Sequence, residues 1–300
     1  MLKKPKVIFF YRNPLPFHKS IEFIFNDVRN RLSGKIEGAK FQVSRFSKGI
    51  INRVQIMLQA KAHQGDINHI TGDIHFAAIL LKKEKTVLTI HDCGMLAQAR
   101  GIKRNIIKLF WFTLPLRKCC CITVVSDSTK NELLKYVNYP EENIHIIPVP
   151  VSSKFKYTPR SFNAKKPVAL QYCTTPNKNV MRVVEALKNI PCELILIGEL
   201  EKELLEVLHK NNIVFRNYNN IPLDDLVELY KKCDLLCFAS TYEGFGMPIV
   251  EAQAVGRPVI TGNLSSMPEV AGDGACFVDP FSVDDIRNGI LKVINDEHYR

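Results

Sequence analysis

Short apolar runs alternating with stretches of helical periodicity, twice over, constrain this chain more than any other feature. In the first half "KVIFFY" (6–11), "DINHI" (66–70), "TVLTI" (86–90), "CITVV" (121–125) and "IHIIPV" (144–149) read as buried strands. Between them "SIEFIFNDVRNRL" (20–32) and "DSTKNELLKYV" (127–137) place apolar residues at helical spacing. The proline-bearing stretch "PVPVSSKFKYTPRSFNAKKP" (148–167) interrupts the pattern and reads as a connection. Alternation then restarts, with strands expected at 168–172, 193–198, 213–217, 234–239 and 258–261 and helices at 180–188, 201–209 and 223–231. Strands alternating with helices predict parallel sheets covered on both faces. The fold class is therefore α/β: two doubly wound domains, 1–150 and 167–300, joined by a linker at 151–166. Ligands are expected in the cleft beyond the C-terminal ends of the strands.

Composition excludes several alternatives. A chain of 300 residues with 46% hydrophobic and 24% charged residues is neither disordered nor fibrous. No apolar run reaches the roughly 18 residues of a spanning helix. The opening "MLKKPKVIFFY" meets Arg12 too soon for a secretory signal, so a cytoplasmic protein is expected. Nine cysteines, without any C-x-x-C pair, read as buried free thiols. The charge is lopsided: residues 1–150 hold 24 Lys+Arg against 11 Asp+Glu, and residues 151–300 hold 17 against 19. The basic half calls for an anionic partner. Nucleic acid is not expected, because no recognition motif accompanies the charge.

Chemistry concentrates in "STYEGFGMPIVEAQAVGRP" (240–258), where Glu243 and Glu251 stand eight positions apart around Gly244-Phe245-Gly246. Pro248 suits a first helical turn, Gly256 a helix stop and Pro258 a strand opening. Glu243 then falls in a βα loop and Glu251 inside the helix. The two glycines let backbone approach a ligand, and free amides near Met247 and Ile249 offer an anion site. Carboxylates would repel a phosphate but accept hydrogen bonds from a vicinal diol. The arrangement fits a ligand with a diol at each end of a diphosphate. The plainer reading is a surface-loop glutamate and a helix-start glutamate favoured by the dipole.

The stretch Glu243 to Glu251 resembles the E-x7-E motif of retaining glycosyltransferases of the GT-B fold, glycosyltransferase family 4 (group 1 glycosyl transferases). That fold is two Rossmann-like domains facing across a cleft. The likeness is close over 168–285 and thin in the first half, where "TIHDCG" (89–94) and "TVVSDSTKNELLKY" (123–136) carry it. It implies a nucleoside diphosphate-sugar donor as substrate, with no cofactor and no metal. Glu251 would bind the ribose diol, Glu243 the donor sugar hydroxyls, and the backbone of Phe245 and Gly246 would lie beside that sugar. From "TTPNKN" (174–179) it implies donor contacts by Thr174 and Lys178, the lysine neutralising the diphosphate. His91, at the end of "TVLTI", would touch the donor sugar and stabilise an oxocarbenium-like transition state; a structural histidine is the alternative. Adjacent Asp224-Asp225 and Asp284-Asp285 read as helix-start residues, and no D-x-D motif occurs.

Three departures from the family pattern stand out. Tyr172-Cys173-Thr174 occupies the place of an extra cation, and no glycine adjoins Lys178. The first βα loop, "RNPLPFHKS" (12–20), is not glycine-rich, leaving Arg12, His18 or Lys19 to serve an anionic acceptor. The family also continues past the equivalent of Arg300 with a last helix. The basic, aromatic "GIKRNIIKLFWFTLPLRK" (101–118) reads either as a peripheral contact with an anionic membrane or as a helix packed on the sheet with a solvated basic side. The expected function is a metal-independent retaining hexosyltransferase acting on a glycan or lipid-linked acceptor in cell-envelope polysaccharide synthesis, at the inner face of the plasma membrane. The alternatives are a sugar-nucleotide-binding partner subunit without turnover and a sugar-nucleotide epimerase of the same architecture.

Overall fold

The structure, a computed structural model, describes residues 3–14 and 20–300. His18 and Lys19 lie outside the described residues. The chain divides into two compact units, Met1–Pro150 and Val151–Arg300.

In the first unit six parallel strands, β1 (Lys6–Tyr11), β2 (Glu37–Gln42), β3 (Ile67–Ile70), β4 (Thr86–Ile90), β5 (Cys121–Val124) and β6 (Ile144–Ile146), lie in the order β2-β1-β3-β4-β5-β6. Helices α1 (Ser20–Leu32), α2 (Ile50–Ala62), α3 (Gly94–Gln98), α4 (Gly101–Ile107), α5 (Leu114–Arg117) and α6 (Asp127–Tyr136) connect them, with a π-helical turn at Lys108–Thr113 joining α4 to α5. The apolar run of β1 is buried from Val7 to Tyr11, as a central parallel strand requires. Three elements, β2, α2 and α3, were not anticipated. The β2 sequence EGAKFQ is an edge strand with only partial burial at Ala39 and Phe41, so it carries no apolar run. β6 stops at Ile146, short of the expected Val149, because Pro148 and Pro150 have no amide to give a ladder.

The second unit repeats the scheme with β7 (Val168–Tyr172), β8 (Glu193–Ile197), β9 (Val214–Tyr218), β10 (Leu235–Phe238), β11 (Val259–Gly262) and β12 (Cys276–Val278), all parallel, in the order β12-β11-β10-β7-β8-β9. Its helices are α7 (Val180–Ala186), α8 (Lys202–Lys210), α9 (Leu223–Lys232), α10 (Met247–Val255), α11 (Met267–Ala271) and α12 (Val283–Asn295). Period-two alternation sends Leu235 and Cys237 of β10 into the core under α7, α8 and α12, and Leu236 and Phe238 into the core under α9, α10 and α11. Side chains of this size contribute about 1.5–3 kcal/mol each on full burial. Gly256 ends α10 at φ +82°, and a Cβ there would sit 2.7 Å from the Tyr157 ring. Asp284 and Asp285 fall in the first turn of α12, where the Asp285 amide donates to the Ser282 hydroxyl at 3.1 Å.

Residues 151–166 are turns and irregular chain. Two buried charges hold this stretch on the second sheet. Asp234 accepts from Arg160 Nε and from the Val168 amide, both at 2.8 Å. Arg257 donates to the carbonyls of Thr158 (2.9 Å), Tyr230 (3.1 Å) and Lys231 (2.9 Å), fastening the irregular chain to the end of α9. All nine cysteines are free, and six are buried; Cys120 is exposed, and Cys121 and Cys173 are half-buried, so the expectation of buried thiols holds for most of them only.

Strand order fixes where a ligand fits. In the second sheet β7 pairs with β8 on one side and β10 on the other, and the chain reverses its direction of travel between them. Loops leaving the C-terminal ends of two such neighbours diverge and open a crevice.

Candidate functional site

Two loops flank the β7/β10 switch point: 173–179 after β7, and 239–246 after β10. They are laced together. The Thr241 amide donates to Asn177 O (2.9 Å), and Asn177 Nδ2 donates to Tyr242 O (2.8 Å). The buried Ser266 hydroxyl lies 3.0 Å from Glu243 O and 2.9 Å from Phe245 O, clamping the second loop from below. Beside Lys178, where the resembled family has glycine, Asn179 adopts φ +58°. Asparagine is among the few non-glycine residues that tolerate this region. Its buried amide donates to Ala239 O (2.9 Å) and Pro280 O (2.6 Å) and accepts from Arg182 (2.9 Å).

The lacing brings charge together. Lys178 Nζ sits 2.7 Å from Glu243 Oε1, with side chains only 15% and 11% exposed, and 4.7 Å above the Phe238 ring. Glu251, 8% exposed, accepts from the Tyr230 hydroxyl at 2.8 Å, and the Tyr172 hydroxyl lies 3.2 Å from that of Tyr230. Burial pushes the Glu251 carboxyl up to about 7, opposed by the Tyr230 hydrogen bond and the Lys178 cation. Burial and the nearby Glu251 charge raise both tyrosines well above the usual phenol range. Neither a surface-loop glutamate nor a solvated helix-start glutamate describes these shielded side chains.

The start of α10 differs in one respect from expectation. Gly246 forms its N-cap at φ +101°, a conformation that excludes most side chains, whereas Gly244 has no positive φ. The Ile249 amide is not free: it donates to Gly246 O at 3.0 Å, closing the first turn. Pro248 has no amide, which leaves that of Met247 as the donor this turn offers an anion. Phe245 and Met247 are half-buried beside it, while Thr174 is exposed at the head of the lysine loop.

In the first unit His91 follows β4 and borders a cavity of about 380 Å³ lined by Ser47, Arg53, Asp73, His75, His91, Asp92, Met95 and Trp111. Its Nε2 donates to Thr71 O at 2.8 Å, which fixes the tautomer and leaves Nδ1 as an acceptor. Burial lowers its pKa, so the ring is neutral near pH 7. Arg12 is committed to Glu22 and Asp73. Asp92 turns its carboxylate onto the Gly94 amide at 2.8 Å. Among the described residues no group of three or more His, Cys, Asp or Glu side chains has the arrangement of a metal centre.

Sequence reasoning named the two carboxylates and the lysine that the structure brings near one another. It missed Tyr172, Tyr230, Asn179 and Ser266 as their supports, since each acts across elements remote in the chain. The positive φ demanded beside Lys178 was the one local signal, through the asparagine there.

Two parallel doubly wound units, the second gathering a lysine and two glutamates at its switch point, define the GT-B class of protein. Residues 9–155 match the profile of Glycosyltransferase Family 4, and residues 159–300 that of Glycosyl transferases group 1; the chain belongs to this family. The O-antigen chain mannosyltransferase B of Escherichia coli is 30% identical over 243 residues, 72% of this chain and 63% of that protein. The MMP alpha-(1->4)-mannosyltransferase of Mycolicibacterium hassiacum is 30% identical over 178 residues, 55% of this chain and 43% of that protein. The chain thus spans less than two thirds of these relatives. Among solved structures, Anabaena HepE in complex with UDP and glucose superposes with a TM-score of 0.77 at 17% identity, over 99% of this chain and 91% of that one. WaaG, a glycosyltransferase involved in lipopolysaccharide biosynthesis, does so at 0.75 and 16%, over 98% and 92%. At such identities the likeness carries the fold alone.

Proposed function

We propose that this protein is a retaining, metal-independent hexosyltransferase that moves a sugar from a nucleoside diphosphate-sugar to a glycan or lipid-linked acceptor in cell-envelope polysaccharide synthesis. The observation that carries the reading is the Lys178–Glu243 pair, with Glu251 nearby, at the β7/β10 switch point. Lys178 and the Met247 amide take the diphosphate, which gains charge as the glycosidic bond breaks, so the cation favours the transition state over the bound donor. Glu251 accepts from the ribose hydroxyls. Glu243 accepts from the donor sugar, which also meets the backbone of Gly244, Phe245 and Gly246. Thr174 makes an outer contact with the nucleotide, and neutral His91 offers Nδ1 to a sugar hydroxyl. The acceptor oxygen forms its bond to the anomeric carbon on the face the phosphate leaves, and the acceptor proton passes to the departing phosphate oxygen. The names of the mannosyltransferase relatives support a hexose.

A panel of nucleotide sugars, screened by thermal shift and then by product analysis, tests this. One donor should raise the melting temperature, release its nucleoside diphosphate with an acceptor, and give a product of unchanged anomeric configuration, with EDTA leaving turnover intact. Inverted configuration, or turnover lost to EDTA and restored by a divalent cation, would refute the mechanism. Binding without turnover would point to the partner subunit, and a converted sugar stereocentre without diphosphate release to the epimerase.

The lipid side of the reading has its own support in the first unit. Segment 101–118 buries Trp111, Phe112 and Leu116, yet Ile102 (79%), Ile106 (50%), Leu109 (43%) and Phe110 (45%) stand exposed among Lys103, Arg104 and Lys108. Phe46, Ile50, Ile51, Val54 and Leu58, in and before α2, are exposed as well, and Arg53 of α2 lies 4.4 Å over the Trp111 ring. No Asp or Glu occurs in 38–65 or 93–126. An apolar surface set among these cations suits an anionic bilayer. Each cation near such a surface contributes about 1 kcal/mol, so reversing three of them (K103E, R104E, K108E) should cut binding to vesicles containing phosphatidylglycerol by more than about 100-fold. Flotation reads this out; unaltered binding, or equal binding to neutral phosphatidylcholine vesicles, would remove the membrane from the proposal.

A further inference from the structure

Glu251 does not hold its position alone. It lies in the second turn of α10, and one of its oxygens, Oε2, accepts from Tyr230 of α9 at 2.8 Å. Tyr230 is fully buried, with its ring edge-on to Phe155 at 5.4 Å, so its hydroxyl has little freedom to turn away. That hydroxyl has a single proton. Of its two acceptors, Glu251 at 2.8 Å is closer than the Pro248 carbonyl at 3.4 Å, and with the proton given to Glu251 the Tyr230 oxygen is the acceptor for Tyr172 at 3.2 Å. The direction of the chain is thereby set: Tyr172 donates to Tyr230, and Tyr230 donates to Glu251. Each link polarises the next, which strengthens the last bond most. Tyr172 ends β7, immediately before the loop that bears Lys178, so the chain ties the end of β7 through α9 to the carboxylate on α10.

We propose that Tyr230, oriented by Tyr172, is a positioning residue for the donor: it holds the Glu251 carboxylate in one rotamer and one hydrogen-bonding state, leaving Oε1 for the hydroxyls of a ribose. The inference rests on the assignment of Glu251 to the donor ribose and goes beyond it in naming what makes that residue selective for a diol. A protonated Glu251 would carry a donor hydrogen where acceptors are wanted, and its carboxyl is already raised to about 7. The titratable groups facing it are Tyr230 from α9, Tyr172 from β7, and Lys178 from the loop beyond. Of these, Tyr230 and Lys178 favour the ionised form. Removing the Tyr230 hydroxyl therefore moves the carboxyl further up, and donor binding is lost at a higher pH than in the parent.

The test is steady-state kinetics of Y230F and Y172F across pH 5.5 to 9, with melting temperatures measured alongside. In the parent, 1/KM for the donor should fall as pH drops through about 7. For Y230F the KM should rise about tenfold at pH 8, with kcat within twofold, and the inflection should move up by about one pH unit. Y172F, which keeps the direct bond, should shift the inflection in the same direction by less. A packing defect alone would lower the melting temperature without moving the inflection. Parental KM and inflection in both variants would overturn the proposal. E251Q supplies the separate control: donor affinity undiminished in that variant would overturn the ribose assignment itself, whatever Y230F does.

Discussion

Glu243→Gln should abolish sugar transfer and, at the same time, tighten the binding of a bare nucleoside diphosphate by about tenfold. The two effects share one cause. In the ligand-free protein Lys178 is already neutralised, its Nζ 2.7 Å from Glu243 Oε1, with both side chains largely shielded from water. A diphosphate must displace that carboxylate before it can use the lysine. When a donor enters, its sugar hydroxyls take over Glu243 and the exchange is balanced. After transfer the sugar has gone, and Glu243 competes with the spent diphosphate for the cation. A charge-assisted bond of this kind contributes about 1.5–3 kcal/mol, of which the glutamine amide retains only part. Calorimetric titration with a nucleoside diphosphate, paired with a transfer assay, measures both sides. Unchanged or weakened diphosphate binding would show that the carboxylate does not oppose product. Lys178→Ala should instead lose diphosphate affinity altogether.

Asn179 is where the largest loss of stability is expected. Asn179→Ala removes the donor to two buried carbonyls, Ala239 O and Pro280 O, and the acceptor for Arg182, and it places an alanine at φ +58°. Stranded buried groups cost about 1–3 kcal/mol each, with partial relief by relaxation, and the left-handed backbone adds about 1–2 kcal/mol for a residue with a Cβ. A total near 4 kcal/mol follows, about 10 °C in the melting of a unit this size. Asn179→Gly loses the same hydrogen bonds but not the backbone comfort, so it should be about 1 kcal/mol less damaging. Thermal or urea unfolding of the two variants decides the point. Equal losses would mean that the backbone conformation contributes nothing, and that the family's glycine and this asparagine are interchangeable for another reason.

Much of the fold was readable because buried parallel strands advertise themselves. VALQY, ELILI and LLCF are apolar on both faces, and each became a strand within a residue or two of its expected limits. The edge strand EGAKFQ escaped notice since an edge need not be apolar, and the three-residue β12 is too short to show a period. At the site, glycine and proline punctuate the chain, so the loop, the start of α10 and its stop at Gly256 could be placed by backbone chemistry alone. What could not be read was partnership at a distance. Asn179 reaches Pro280 across 101 positions and Tyr230 reaches Glu251 across 21, and no local pattern encodes either meeting. The free amide expected at Ile249 failed for a related reason: the first turn closed on Gly246 and used it.

The mutual lacing of the two site loops has a bearing on how such proteins diversify. Thr241 leans on the main chain of Asn177, and Asn177 leans back on Tyr242, so neither loop has a shape of its own to keep when the other is altered. A graft meant to change the taste for one activated sugar over another would need both segments transplanted as a matched set, though 60-odd residues of sheet and helix separate them in the gene. Inheritance of the preference is then coupled, and point-by-point drift in either half alone meets a penalty from its companion.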